Sequence, residues 1–278
     1  MANREFLVDV GKCTGCNLCA VSCKDEHFEN SYAPWSAPQP ETGQFWVDVK
    51  ALERGTLPRV RVSYMPTFCQ HCADAPCIPA CPDDAIKTRD DGLVWIDPKA
   101  CTGCGKCGPA CPYDVIFFNE DANIAQKCTG CAHRVDEGLL PRCVEACPHE
   151  AILFGDEGAF QGEGSEILKP EHNAAPRVMW RELPRPWIAG SVIDGERSEV
   201  IANAMVTVRH QEDDGPYDAL TDEFGDFYVR NLDTGRSYCV VISADGYDSV
   251  KRNVTVSSDL DIGTVVLNRK QDRGMQEI

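Results

Sequence analysis

Sixteen of the 17 cysteines in this chain fall into four quartets: Cys13, Cys16, Cys19, Cys23; Cys69, Cys72, Cys77, Cys81; Cys101, Cys104, Cys107, Cys111; and Cys128, Cys131, Cys143, Cys147. The first and third are spaced C-x2-C-x2-C-x3-C, the second C-x2-C-x4-C-x3-C and the fourth C-x2-C-x11-C-x3-C; only Cys239 is left over. The N-terminal stretch MANREFLVDVGK has no hydrophobic signal core, so a reducing compartment is expected and the thiols read as metal ligands, not disulfides. Zinc also uses C-x2-C pairs, but it joins two pairs across a longer gap and has no use for a third cysteine at x2 followed by C-P. The spacing suits a 4Fe-4S cubane: a short loop wraps one corner, three sulfurs reach three irons, and backbone N–H groups turn inward. Gly15, Gly103 and Gly130 each precede the second cysteine of a quartet, where such a loop is crowded, and Gly105 and Gly108 loosen the third further.

In bacterial ferredoxins the fourth cysteine of each run ligates the other cluster of a pair. Quartets two and three lie close together and make one pair, which leaves one and four as the other. Four sites are therefore expected: Cys13, Cys16, Cys19 with Cys147; Cys23 with Cys128, Cys131, Cys143; Cys69, Cys72, Cys77 with Cys111; and Cys81 with Cys101, Cys104, Cys107. Four fully thiolate-ligated clusters leave no coordination position for substrate. No catalytic residue is assigned, and the chemistry expected of the chain is the passage of single electrons.

The elements that must hold these loops repeat with them. CPDDAI, CPYDVI and CPHEAI follow three quartets, and VDVGKCTGC, IDPKACTGC and IAQKCTGC precede three; the first quartet departs, with Lys24 in place of proline. Each unit reads as a cysteine loop, a short helix ending near C-P, and a strand. Asp91-Gly92 between two apolar runs signals a tight hairpin. His71, His133 and His149 sit in or beside the loops, where a ring N–H could reach a sulfur, although a structural hydrogen bond is the commoner role. His27 and His172 read as exposed polar residues.

The expected fold is α+β, with one ferredoxin-like module inserted in another. Residues 1–65 and 123–155 form the outer module and 66–122 the inserted one. Residues 156–186, rich in glycine and proline without a period, read as an extended connector. From 187 to 278 about seven short β-branched runs separated by Gly, Asp and Asn indicate an all-β sandwich. Cys239, between Tyr238 and Val240 on one of these strands, reads as a buried small side chain.

Charge narrows the partners. The chain carries 27 Lys+Arg against 44 Asp+Glu, and residues 187–278 carry 9 against 17. Nucleic acid and anionic lipid are disfavoured, and another folded subunit or a basic partner suits the surface better. No stretch approaches the roughly 20 apolar residues of a membrane span, so direct insertion is not expected. A cytoplasmic location is expected, with export alongside a signal-bearing partner as the alternative.

The order and spacing of the quartets, together with CTGCAHRVDEGLLPRCVEACP, resemble the iron-sulfur subunits of molybdopterin oxidoreductases of the dimethyl sulfoxide reductase type, over about residues 5–155. The resemblance implies a large catalytic partner holding molybdenum or tungsten on two pyranopterin guanine dinucleotides, and with it an electron donor protein or membrane subunit. The tail pattern GSVID, AMVTV, TDEFGDF, LDTG and YCVVISADGY resembles carboxypeptidase-regulatory, transthyretin-like domains, which serve packing or docking. The fusion of the two resembles the small subunits of pyrogallol-phloroglucinol transhydroxylase and related catechol dehydroxylases. Reductive dehydroxylation needs an electron path and transhydroxylation has no net electron demand. The four complete quartets therefore favour the former, with transhydroxylation and a free-standing polyferredoxin carrier as alternatives.

Overall fold

The computed structural model describes residues 2–162, 164–210 and 216–270. The chain divides into two units, one of residues 1–52 and 63–183, the other of residues 53–62 and 184–278.

The first unit is built round β1 (Arg4–Asp9), a strand buried on both faces along Glu5, Phe6, Leu7 and Val8. A strand covered on both sides needs a continuous apolar run, and REFLVD supplies it. Its one buried carboxylate, Glu5, accepts the backbone N–H of Phe160 at 2.8 Å. β8 (Ile152–Asp156) pairs with β1 antiparallel, and β10 (Val178–Arg181) pairs with it in parallel, Phe6 opposite Val178 and Val8 opposite Trp180. The short β9 (Glu166–Ile167) closes the sheet on β10. Residues 156–186, expected as an extended connector, thus supply two strands of the sheet. Apolar Val178 and Trp180, both fully buried, gain more from the core than from solvent.

α1 (Leu18–His27) runs straight through Cys23 and Lys24. The absence of proline after that cysteine is the reason, since proline there would break the helix. α2 (Cys107–Ala110) and α4 (Arg142–Glu145) are single turns that stop before Cys111-Pro112 and Cys147-Pro148; α3 (Ala132–Asp136) lies between Cys131 and Cys143. The second quartet departs from the expected repeat. Pro76 and Pro79 fall inside it, and its chain makes turns, with the Cys81 N–H donating to the Ile78 carbonyl at 3.0 Å, where a helix was expected. Two small hairpins complete the unit: β4 (Ile86–Thr88) with β5 (Val94–Ile96), and β6 (Phe117–Asn119) with β7 (Ile124–Gln126). The first turns at Gly92, whose φ of +82° favours glycine.

β2 (Asp48–Thr56) and β3 (Arg59–Thr67) pair as a ribbon whose outer half, Glu53–Val62, counts with the second unit. There, β11 (Ile188–Asp194), β14 (Asp226–Val229) and β17 (Leu260–Leu267) form one sheet. β12 (Met205–His210), β13 (Tyr217–Leu220), β15 (Arg236–Ser243) and β16 (Val250–Val256) form the other. Ile188, Val192, Val206, Val208, Phe227, Tyr238, Val240 and Ile242 of the two sheets meet in one core. The seven expected strands are present; the domain end expected at residue 278 lies outside the described residues. Cys239 corrects the sequence reading. Tyr238, Val240 and Ile242 point inward and Cys239 lies half-buried on the opposite face, because the aromatic ring gains more from burial. The Tyr238 hydroxyl is satisfied by the backbone N–H of Asp233 at 2.9 Å.

Arg54 and Arg59 both make polar contacts from residues 53–62, Arg54 donating to the Arg185 carbonyl at 2.8 Å and to Asp259 at 3.3 Å; Arg59 makes more of them. Its guanidinium donates to Asp226 at 2.6 Å, Asp261 at 2.9 Å and the Ser191 hydroxyl at 2.7 Å, while its side chain is only 10% exposed. Gly55, at φ +90°, lies where a Cβ would strike the Arg59 backbone and the Trp187 ring. Among the described residues no helix is long and apolar enough to cross a membrane.

Candidate metal centres

The structure brings the cysteines together across the quartets. The Cys19 thiol is pushed up to about 12, first by burial and then by the charges of Cys13, Cys147 and Cys16. Burial raises Cys23 well above the ordinary thiol range, and its charged neighbours are Cys131, Cys128 and Cys143, followed by Cys19 on its own helix. Cys72 is raised to about 12 by burial and by Cys69, Cys77 and Cys111. Cys107 is raised by burial and, among charges, by Cys101, Cys81 and Cys104. We number these groups sites 1 to 4. Site 3 surrounds a small cavity lined by Cys69, Cys72, Cys77 and Cys111, and site 4 one lined by Cys81, Cys101, Cys104 and Cys107.

The chemistry of this donor set fits an iron-sulfur cluster. At Cys19, Cys23, Cys72 and Cys107 burial and the neighbouring thiols oppose ionisation, and a multiply charged cation core offsets both. Backbone N–H groups are already turned to the sulfurs. Those of His71, Ala125, Gly130, Arg142 and Ala151 donate to Sγ of Cys69, Cys101, Cys128, Cys131 and Cys147 at 3.4, 3.4, 3.3, 3.4 and 3.2 Å. Such bonds stabilise thiolate charge and set cluster potential. Among the described residues no three His, Cys, Asp or Glu side chains close on one point as a single metal ion requires. A cubane spreads its four thiolates over four corners and asks for a wider cage.

Burial differs between the sites. Cys23, Cys128, Cys131 and Cys143 of site 2 are all buried, whereas Cys16 of site 1 and Cys104 of site 4 are exposed. The loop glycines are sterically specified. Gly103 has φ +76°, and an added Cβ would enter the Asn123 carbonyl; Gly130 has φ +67°, with Leu93 Cδ1 at 2.8 Å from that position. Gly103→Ala, which forces left-handed backbone worth about 1–2 kcal/mol on an alanine, is therefore expected to impair loading of site 4. Iron analysis should show less metal than in the parent; a fully loaded variant would contradict it.

The histidines divide otherwise than expected. His27, read as exposed, is 1% exposed, and its Nε2 lies 3.8 Å from Cys131 Sγ. α1 carries it there because the helix continues past Cys23, and burial presses its pKa down to about 3, with His133 adding to the effect. His71 Nδ1 accepts the Val94 N–H at 3.0 Å, and its ring is fully buried. His133 Nε2 meets Glu26 Oε1 at 3.0 Å, its ring stacked on Tyr32 at 3.5 Å. His149 and His172 are exposed. Segment 174–180 backs the second cysteine loop: Ala73 N–H donates to Ala175 O at 2.8 Å, and the Trp180 indole to Gln70 Oε1 at 3.0 Å. Gln70 sits next to Cys69, so the supposed connector positions a ligand loop.

Residues 60–157 match the family model described as 4Fe-4S dicluster domain, and residues 187–267 that described as carboxypeptidase regulatory-like domain. The chain is 35% identical over 281 residues to the pyrogallol hydroxytransferase small subunit of Pelobacter acidigallici, covering 96% of this chain and 100% of that one. This protein belongs to the iron-sulfur subunits of the dimethyl sulfoxide reductase family. Other relatives are similar over a smaller share of its length. The arsenate respiratory reductase iron-sulfur subunit of a Shewanella species is 32% identical over 63% of this chain and 94% of its own. A tetrathionate reductase subunit of Salmonella typhimurium is 36% identical over 64% of this chain and 72% of its own. As a member of this family the chain is an electron-transfer iron-sulfur subunit.

Proposed function

We propose that the chain holds four 4Fe-4S clusters in two nested ferredoxin-like modules and connects a molybdenum- or tungsten-binding catalytic partner to its electron supply. The observation that carries this reading is the grouping of the sixteen cysteines into four sets of four, each drawing its last thiol from another quartet. When bound, clusters of this kind take up and release single electrons without a change of ligands.

The residues supply the order. Cys19 and Cys23 lie one helical turn apart on α1, and Cys143 of site 2 is a charged neighbour of Cys19. Cys128 of site 2 is a charged neighbour of Cys69 of site 3. Cys77 and Cys81, and Cys107 and Cys111, place sites 3 and 4 on the same two segments. The four sites therefore make one row, 1-2-3-4, with the exposed thiols Cys16 and Cys104 at its two ends. An inner stretch sealed from water and two ends near the surface are what an electron relay needs when it must serve two redox partners.

For the partner we propose a bis-pyranopterin protein that acts on a phenolic substrate, reductive removal of a ring hydroxyl being the reading favoured by the complete row. The balance is Ar–OH + 2 e⁻ + 2 H⁺ → Ar–H + H₂O, with the electrons delivered through this chain. The relative named for a hydroxytransferase, similar along its whole length including the β-domain, supports transhydroxylation as the second reading. Anaerobic purification of the complex is expected to yield a large chain with molybdenum or tungsten, and about sixteen irons per copy of this chain, four per cubane. Adding reduced viologen and catechol separates the readings. Dehydroxylation oxidises two viologens per hydroxyl lost; transhydroxylation moves hydroxyl between rings and consumes none. Iron-loaded protein that purifies with no large partner would support the free carrier instead.

A further inference from the structure

We propose that Lys127 is a fixed positive charge placed between the two inner sites, where it raises the reduction potential of sites 2 and 3. This rests on the four-cluster reading above. Lys127 precedes Cys128 and is only 2% exposed. Its Nζ donates to the carbonyls of Val94 and Cys128, the latter at 3.1 Å. Among the described residues no carboxylate lies within 4 Å of it. Burying an ammonium without a counter-ion is expensive, and two carbonyl dipoles only partly offset its lost hydration.

The counter-charge is found in the cysteines. Lys127 lines the site 3 cavity together with Cys69, Cys72, Cys77 and Cys111. Its charge favours the thiolate at Cys77 of site 3 and at Cys128 of site 2, acting against burial, the larger influence on both. The two sites are already charged neighbours through Cys128 and Cys69. A 4Fe-4S core bound by four thiolates is a net anion, and it gains one more negative charge when reduced. A buried cation at this junction stabilises the reduced form of each more than the oxidised form, and the low local dielectric enlarges the effect. Lys12 precedes Cys13 in the same way, but it is exposed and water screens it, so the device belongs to the inner sites alone. Lys127 acts by charge and position.

The experiment is potentiometric titration of the iron-loaded protein, followed by electron paramagnetic resonance, for the parent, Lys127→Gln and Lys127→Arg. Glutamine keeps an N–H donor for the carbonyls and removes the charge; arginine keeps the charge. In Lys127→Gln two of the four potentials are expected to fall. At the parent's midpoints the ratio of reduced to oxidised cluster should drop about tenfold, which is about 59 mV for one electron. In Lys127→Arg those two potentials should stay near the parent's. Four unchanged potentials in fully loaded Lys127→Gln would overturn the proposal. If Lys127→Gln loses iron while Lys127→Arg loads at parent potentials, the charge is what holds the inner clusters, and the proposal stands. If both lose iron, the shape of the lysine and not its charge decides, and the proposal falls. Fewer than sixteen irons in the parent would fail the four-cluster reading itself, whatever the variants do.

Discussion

Replacement of Cys111 by serine is expected to remove the cluster of Cys69, Cys72 and Cys77 and to leave the one held by Cys111's own sequence neighbours. Cys111 stands only four residues beyond Cys107, and a reading by proximity along the sequence would assign it to Cys101, Cys104 and Cys107. Its surroundings differ. α2 ends at Ala110; at Cys111, which follows it, the backbone turns extended at φ −84° and ψ 112°, and the thiol lines the cavity shared with Cys69, Cys72 and Cys77. Cys72 and Cys77 both experience its charge, whereas the charges acting on Cys107 are those of Cys101, Cys81 and Cys104. Serine offers a hard, weakly acidic oxygen in place of a soft thiolate. Iron should fall by about a quarter, one cubane of four, and one paramagnetic signal should vanish on reduction. Cys104→Ser serves as the control and should remove a different signal. Loss of the same signal from both variants would show that the third quartet serves one cluster alone.

Arg59→Ala is expected to destabilise the second unit by about 3 kcal/mol, the lower end of the range for removing one partner of a buried ion pair. Arg59 is 10% exposed and answers two carboxylates, Asp261 at 15% and Asp226 at 36%; without it Asp261 stays half-covered beside Asp226 with no cation. Arg59→Lys should recover only part of the loss, because the three N–H groups of an ammonium radiate from one nitrogen and do not span Asp226, Asp261 and Ser191 as the guanidinium fork does. Amide hydrogen exchange along β11, β14 and β17 measures the change; protection equal to the parent's would show that Arg59 contributes nothing. The same contacts bear on truncation. A chain ending before residue 187 keeps residues 53–62 but strips Arg59 of Ser191, Asp226 and Asp261. Such a truncation exposes a charged ribbon, so Arg59 should be replaced in any test of the β-domain by deletion.

What was legible in the sequence was local. Cysteine spacing is set by the reach of a loop round a cluster, which involves fewer than about twenty residues at a time; the expected exchange of the fourth cysteine between quartets comes from the ferredoxin pattern. The seven strands of the second unit announce themselves by β-branched runs and turn residues. The pairing of distant strands was not legible. Nothing in VMWR states that it will lie parallel to REFLVD, far earlier in the sequence, because any apolar strand edge of suitable length can accept it. His27 was misread because a position one turn past a cluster cysteine looked like the end of an element; the missing proline at Lys24 was the available signal that the helix would continue. Lys127 and Lys12 stand in the same local setting, and only tertiary packing makes one buried and the other exposed. For Cys239, alternation was evident but its phase was not, since Tyr238 and Cys239 are both apolar enough to turn inward.

The uneven covering of the four sites also fixes how the molecule ages. Dioxygen and peroxide reach thiolates and sulfides through solvent, and susceptibility follows exposure. Cys16 and Cys104 stand at the surface, while the four thiols of site 2 are enclosed. In the row proposed above, corrosion should therefore begin at both ends and advance inward. A molecule exposed briefly to air would still hold iron at its centre, yet it would be an electrical dead end, cut off from donor and acceptor alike.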